Sequence, residues 1–182
     1  MNRRAIASVL LILLTVLPAM HCSIPRRIWS GKDINSSELH DRGADQSVLV
    51  ASLSSEFKDA VVKRIKENFA DRPVYMKFIG LDGLEEENGA EYDAVVIVNR
   101  CVAWGMSPKV ESFLERSEDH AHMIVLTTSG DGAWMPDKKG RNFDAIASAS
   151  VKADINIVAD KISAQIHVLL TESVQRRLEM GT

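Results

Sequence analysis

The sequence predicts an α/β domain built as a three-layer, doubly wound parallel sheet. Two apolar runs, 94–98 and 123–126, each lead into a glycine-containing loop that carries a tryptophan. Strand-like runs alternate with amphipathic helical periods along the chain, and this alternation is typical of parallel strands joined by crossover helices. Because the carboxyl ends of such strands meet at one edge of the sheet, we expect a ligand crevice between the two loops.

Composition narrows the class of protein. The 182 residues are 46% hydrophobic with a net charge of -3, which fits one ordinary globular domain with extra sequence at its ends. A basic stripe and a Cys/His zinc spacing are both missing from the sequence, so we expect no nucleic-acid partner. His120 and His122 flank a single alanine without a third ligand nearby in the sequence, so we also expect no metal site.

Residues 1–22 have the pattern of an export segment. A head with Arg3 and Arg4 precedes an apolar run that ends at Leu17, and small or polar residues follow up to Cys22. The run is short for a bilayer span, which needs about 20 residues. Cys22 is a candidate for lipidation, as in a lipoprotein, while ordinary cleavage or retention as a membrane anchor remain alternatives. We expect an exported protein of the periplasm or cell envelope that is tethered to a membrane.

A polar tether and a single folded domain follow that segment. Residues 23–45 carry Pro25, several arginines and two glycines without a sustained period, so we interpret them as the tether. The folded domain is expected to span 46–178. Cys101 is the only cysteine besides Cys22, so removal or lipidation of Cys22 excludes an intramolecular disulfide.

The first half of the domain reads as strand, helix, strand. Residues 47–51 form a short apolar run, and Ser54 is placed to cap a helix that ends near Phe69. Residues 73–79 alternate as a strand, which we place at the sheet edge because it starts with Pro73 and contains a lysine. The acidic connection 80–91 predicts a loop or a single turn.

The second half supplies the buried strands and a long helix. Residues 94–98 are apolar throughout, as expected for a strand covered on both faces, and Pro108 opens the next helix. Further strands are predicted at 123–126 and 144–147. Ser150 then caps a final helix with a sustained apolar stripe.

Three segments resemble the flavodoxins over roughly 46–170. The run 92–97 and the following 104–114 are similar to the third strand, the flavin-flanking loop and the third helix of that family. The segment 127–132 is similar to the loop that lies against the isoalloxazine edge. The resemblance implies a strand order of 2-1-3-4-5, an FMN cofactor, and electron transfer to a redox partner.

The resemblance also implies where FMN would bind. Trp104 would stack on one flavin face, and the backbone around Gly105 and 127–130 would face the polar edge of the ring. The candidate cofactor-binding residues are Ser52, Ser54, Ser55, Trp104, Gly105, Thr127, Thr128, Ser129, Gly130 and Trp134.

The loop after the first strand departs from the family pattern. Residues 51–57 keep three serines, but they lack a glycine for close backbone approach to a phosphate, and they include Glu56. At an effective dielectric near 20, two like charges about 5 Å apart repel by roughly 3 kcal/mol, so FMN binding should be weak. The serines also fit a simple helix cap. The alternative function is a non-catalytic domain that binds an envelope partner through the same crevice or the exposed face of the last helix.

Overall fold

A computed structural model describes residues 31–181. The predicted export segment with Cys22, and the tether residues 23–30, therefore lie outside the described residues. The strands and α-helices of the described part are β1 Ser37–Leu39, β2 Ser47–Ser52, α1 Glu56–Phe69, β3 Tyr75–Ile79, β4 Ala94–Arg100, α2 Pro108–Arg116, β5 Met123–Thr128, β6 Asp144–Ser148 and α3 Ile155–Met180. Short 3₁₀ helices cover Leu81–Glu86, Gly89–Glu91 and Lys152–Asp154.

The strands form one mixed sheet in the order β1-β3-β2-β4-β5-β6. The strands from β2 to β6 are parallel to their neighbours, whereas β1 pairs antiparallel with β3, with Ser37 opposite Phe78. The predicted five-strand order 2-1-3-4-5 is therefore wrong for the whole sheet, although the parallel strands, counted without β1, follow it. The sheet also begins before Gln46, because β1 comes from the segment interpreted as a tether. As a result β3 is not the edge strand.

The sheet is covered on both faces, which gives three layers. Side chains alternate along each strand, so Val50 and Val96 face α1 and α3, whereas Leu49 and Val95 face α2 and the 3₁₀ helix at Leu81–Glu86. α1 and α3 also pack against each other. The doubly wound α/β architecture predicted from the sequence is confirmed in this form, with β4 buried at its centre.

The helix starts differ in detail from the predictions. Ser55, rather than Ser54, caps α1, because its hydroxyl accepts the N–H of Lys58. Pro108 occupies the first turn of α2 as predicted. Ser150 does not cap α3; it has a positive φ of 59°, and the α-helix begins five residues later, after a 3₁₀ turn. Among the described helices, none combines the length and the apolar character needed to cross a bilayer.

Two crossovers leave the carboxyl edge of the sheet open to loops. The connection from β3 to β4 contains two short 3₁₀ helices and no α-helix, where the sequence predicted a loop or a single turn. The connection from β5 to β6 has no helix and runs through 129–143, where Phe143 is fully buried and anchors the loop. These loops, with the loop after β4 and the start of α1, surround the candidate site.

Candidate functional site

Trp104 lies at the tip of a tight turn after β4. Val102 and Gly105 exchange two backbone hydrogen bonds of 2.9 Å, so the peptide N–H of Gly105 is already bonded within the turn. The two central residues, Ala103 and Trp104, have positive φ values of 48° and 62°. Two-residue turns in which both central residues are left-handed usually contain Asn-Gly. A residue such as alanine or tryptophan at either position costs about 1–2 kcal/mol.

This strained turn presents an aromatic ring to solvent. Trp104 is 84% exposed. Strained backbone persists where the surrounding structure enforces it, and it occurs preferentially at functional sites. Trp104 is therefore the strongest ligand-contact candidate in the described part of the chain.

Trp134 is held differently, on the loop after β5. Its side chain is half-buried and packs against the core on the α2 face of the sheet. Its backbone N–H donates to the Ser129 hydroxyl at 3.4 Å, and that hydroxyl donates to Asp131 at 2.9 Å. The N–H of Ala133, followed by the Ser129 hydroxyl, lowers the pKa of Asp131. The loop is thus organised by an ionised carboxylate.

The predicted loop residues Thr127 and Thr128 belong to β5 and are buried. The Thr127 hydroxyl accepts from the Asn99 amide at 3.0 Å, and the Thr128 hydroxyl donates to the Asn99 carbonyl at 3.3 Å. Both hydroxyls therefore pair within the sheet. The expected contact of this segment with a flavin edge is through its backbone groups and stays a prediction. The Ser129 N–H donates to the Ser148 carbonyl. Gly130 is exposed, and a Cβ added there would meet no atom within 4 Å.

The serines after β2 bond within the protein. The Ser52 hydroxyl is fully buried and donates to the Leu53 carbonyl at 2.7 Å, while the Ser54 hydroxyl donates to Asp59 at 2.9 Å. Ser55 is the cap of α1, as the helix-cap interpretation predicts. Glu56 is exposed and forms an ion pair of 2.5 Å with Lys152, so its charge is partly balanced.

A buried lysine near this loop was missed in the sequence analysis. Lys58 lies in the first turn of α1 and is only 6% exposed. Burial, followed by the nearby charge of Arg100, lowers the pKa of Lys58, while Asp59 opposes that shift. Its position within the apolar stripe of α1 was the available signal.

Replacing Lys58 by methionine should stabilise the domain. Methionine has a similar length and removes the cost of burying a charge, so we expect a gain of about 1–2 kcal/mol and a melting temperature a few degrees higher. Folding lowers the pKa of Lys58, so burial of its charge destabilises the parent fully at pH values below the folded pKa. This destabilisation disappears above the ordinary pKa of 10.5, where the side chain is neutral in both states. Thermal melts at pH 7 and pH 11 test this; an equal gain at both values would contradict it.

An open cavity of about 350 Å³ lies beside the predicted crevice. Its walls come from the loop after β5, the carboxyl end of β6 and the start of α3, and they include Gly132, Ser148 and Ile157. Neither tryptophan candidate lines this cavity. No sequence motif indicated it, because its walls come from three separate elements.

His120 and His122, for which we expected no metal-binding role, form hydrogen bonds with backbone carbonyls. The rings of His120 and His122 contact the carbonyls of Leu114 and Gly89 at 2.7 and 3.1 Å. His122 is buried. Within residues 31–181, no group of three or more His, Cys, Asp or Glu side chains is arranged to hold a metal ion.

Comparisons with known proteins yield structural similarity only. Neither a family model nor a curated protein matches the chain. An oxidoreductase from Corynebacterium diphtheriae is similar at 13% identity and a TM-score of 0.45, over 70% of this chain and 97% of that one. Rubredoxin oxygen:oxidoreductase from Desulfovibrio gigas is similar at 14% identity and a TM-score of 0.46, over 71% of this chain and 37% of that one. These similarities do not assign the chain to a family.

Proposed function

We propose that this domain binds a flavin weakly at the carboxyl edge of its sheet, through the ring rather than the phosphate, and uses it for electron transfer. The observation that carries the proposal is the exposed Trp104 on its strained turn. A tryptophan face stacks on planar rings, and such contacts contribute about 0.5–1.5 kcal/mol beyond area burial. Protein dipoles beside a stacked ring would tune its redox potential.

The loop after β2 supports a minor role for the phosphate. The hydroxyls of Ser52, Ser54 and Ser55 are all engaged with protein groups. Asp59 and Glu56 add negative charge beside the same loop. The hydroxyl hydrogens of Ser52 and Ser54 are therefore not available to a phosphate, and the Asp59 carboxylate carries like charge beside them.

The two flavins that differ only by the phosphate should bind about equally. We expect riboflavin and FMN to have dissociation constants within about threefold of each other, each about 10 μM or weaker, because only the ring contributes. Equilibrium dialysis of each flavin against the full chain measures both values. A nanomolar affinity confined to FMN would contradict the proposal, since it would require an open phosphate site.

A second candidate function is a non-catalytic domain that binds a protein partner through the same tryptophan. The observation that favours it is the closed state of the serine loop combined with a large aromatic exposed at 84%. Tryptophan is enriched among the residues that dominate protein interfaces. Lack of binding of either flavin up to millimolar concentration would favour this candidate.

We also propose that the domain acts in the cell envelope, tethered through its N-terminal segment. Support comes from the sequence pattern of 1–22 and from Cys22 directly after the apolar run. Labelling with a radioactive fatty acid should mark the full chain but not Cys22→Ser. Label on both proteins, or on neither, would contradict lipidation at Cys22.

A further inference from the structure

A short segment, Gly31–Ile34, lies across the loop after β2, and we refer to it as the strap. The Ser54 N–H donates to the Lys32 carbonyl at 2.5 Å, and the Ile34 N–H donates to the Ser52 carbonyl at 3.3 Å. Asp33 and Leu53 form an antiparallel bridge. The strap thus forms a hydrogen bond with the backbone N–H of Ser54, at the point where β2 leads into α1.

The strap is also seated by a side chain. The Asp33 carboxylate accepts the Asp82 N–H at 2.9 Å through Oδ2, and its Oδ1 is buried. Gly80 makes this possible: a Cβ added there would lie 2.4 Å from the Asp33 Cβ, a distance that forces one of the two groups to move. The strap therefore fits only against a glycine at position 80.

We propose that the strap determines which ligands this site accepts, by closing the loop after β2 against terminal phosphates. The Lys32 carbonyl occupies the Ser54 N–H, and the hydrogen bond from the Asp82 N–H to the Asp33 carboxylate holds the strap in that position. A planar ligand without a phosphate does not need this loop. That the accepted ligands are uncharged planar rings such as riboflavin rests on the proposed function. That the loop after β2 is closed to phosphate rests on the contacts of the strap.

Releasing the strap should open the loop to phosphate. Gly80→Ala places a methyl group where the Asp33 Cβ lies, and Ile34→Pro removes the N–H that donates to Ser52. Gly43→Ala is the matched control, because Gly43 is exposed outside the site and an added Cβ there makes only an ordinary contact of 3.9 Å with the Asp41 carboxylate. Hydrogen exchange at the Ser54 amide reports whether the strap has left, independently of any ligand.

The affinity ratio of FMN to riboflavin tests the inference in the full chain. We expect a ratio near one for the parent and for Gly43→Ala, and a preference for FMN of about tenfold in the released variants. At least one released variant should show fast exchange at Ser54. An unchanged ratio in a variant with a released strap would overturn the inference, and so would slow exchange in both variants.

Inorganic phosphate separates this inference from the flavin proposal. If neither flavin binds any variant, the flavin proposal fails, and the closure is then judged by phosphate alone. Millimolar phosphate should shift the amide resonances of Ser54 and Ser55 in the released variants but not in the parent. Equal shifts in parent and variants, or no shift in the released variants, would overturn the closure.

Discussion

The full chain carrying Val96→Asp is expected to be unfolded at 25 °C. Val96 is fully buried in β4, between Val50 of β2 and Ile124 of β5, and it faces the layer formed by α1 and α3. A carboxylate there would lie among buried apolar side chains. Burying an unpaired charge costs several kcal/mol, which is comparable with the 5–15 kcal/mol that keeps an ordinary domain folded.

Val168→Asp provides the matched control for that experiment. Val168 lies on α3 with 55% of its surface exposed, so the same chemical change should shift the stability by less than about 0.5 kcal/mol. Circular dichroism melts of the two variants and the parent give the comparison. A Val96→Asp protein that melts within a few degrees of the parent would show that β4 is not the centre of the core.

Gly132→Ala should produce the largest effect of any change in the loop after β5. Gly132 has a φ of 70°, and an added Cβ would lie 2.5 Å from the backbone nitrogen of Ala149. The φ value costs about 1–2 kcal/mol for a residue with a Cβ, and the contact falls on backbone that cannot turn away. We expect a loss of about 3 kcal/mol or a displaced loop, because both penalties apply together.

Gly140→Ala isolates the backbone part of that penalty. Gly140 has a similar φ of 81°, but an added Cβ there meets nothing within 4 Å. Its cost should be about 1 kcal/mol, clearly less than that of Gly132→Ala. Urea denaturation of both variants measures the difference. Equal losses would mean that the approach of Ala149 to Gly132 is not a constraint on the folded loop.

The parallel core was predictable because long, regular patterns encode it. The apolar run of β4 and the 3.6-residue stripe of α3 extend over enough residues for burial to dominate local preferences. β1 was missed for the opposite reason. It has three residues, two of them polar, and its pairing with β3 depends on a neighbour far along the chain.

The strand that leads to Trp104 could be predicted, but the conformation of the turn that carries it could not. Trp104 follows a buried strand in the sequence, and in the structure it lies exposed on the turn after β4. The strain of its turn could not be predicted, since Ala-Trp does not resemble the Asn-Gly sequences that favour such turns. Thr127 and Thr128 looked like loop residues because of their hydroxyls, but β-branched residues also suit the end of a strand.

The closure of the serine loop depends on tertiary contacts that a local pattern does not reveal. Lys32 and Ser54 are far apart in the sequence, and their backbone hydrogen bond forms only when the strap crosses the loop. The glycine-free serine loop predicted weak phosphate binding from its composition and charge. The structure adds a separate reason, because the Ser54 N–H and the hydroxyls of Ser52 and Ser54 already donate to protein groups.

Riboflavin binding to the full chain, with and without the Trp104 ring, tests the central claim most directly. Flavin fluorescence should be quenched as the parent is added, and Trp104→Phe should retain much of the affinity. Trp104→Leu should weaken binding about tenfold or more, because it removes the stacking face while leaving an apolar side chain. The folded Val168→Asp variant should bind as the parent does. Equal riboflavin affinities for the parent and Trp104→Leu, or no quenching up to millimolar concentration, would contradict the account.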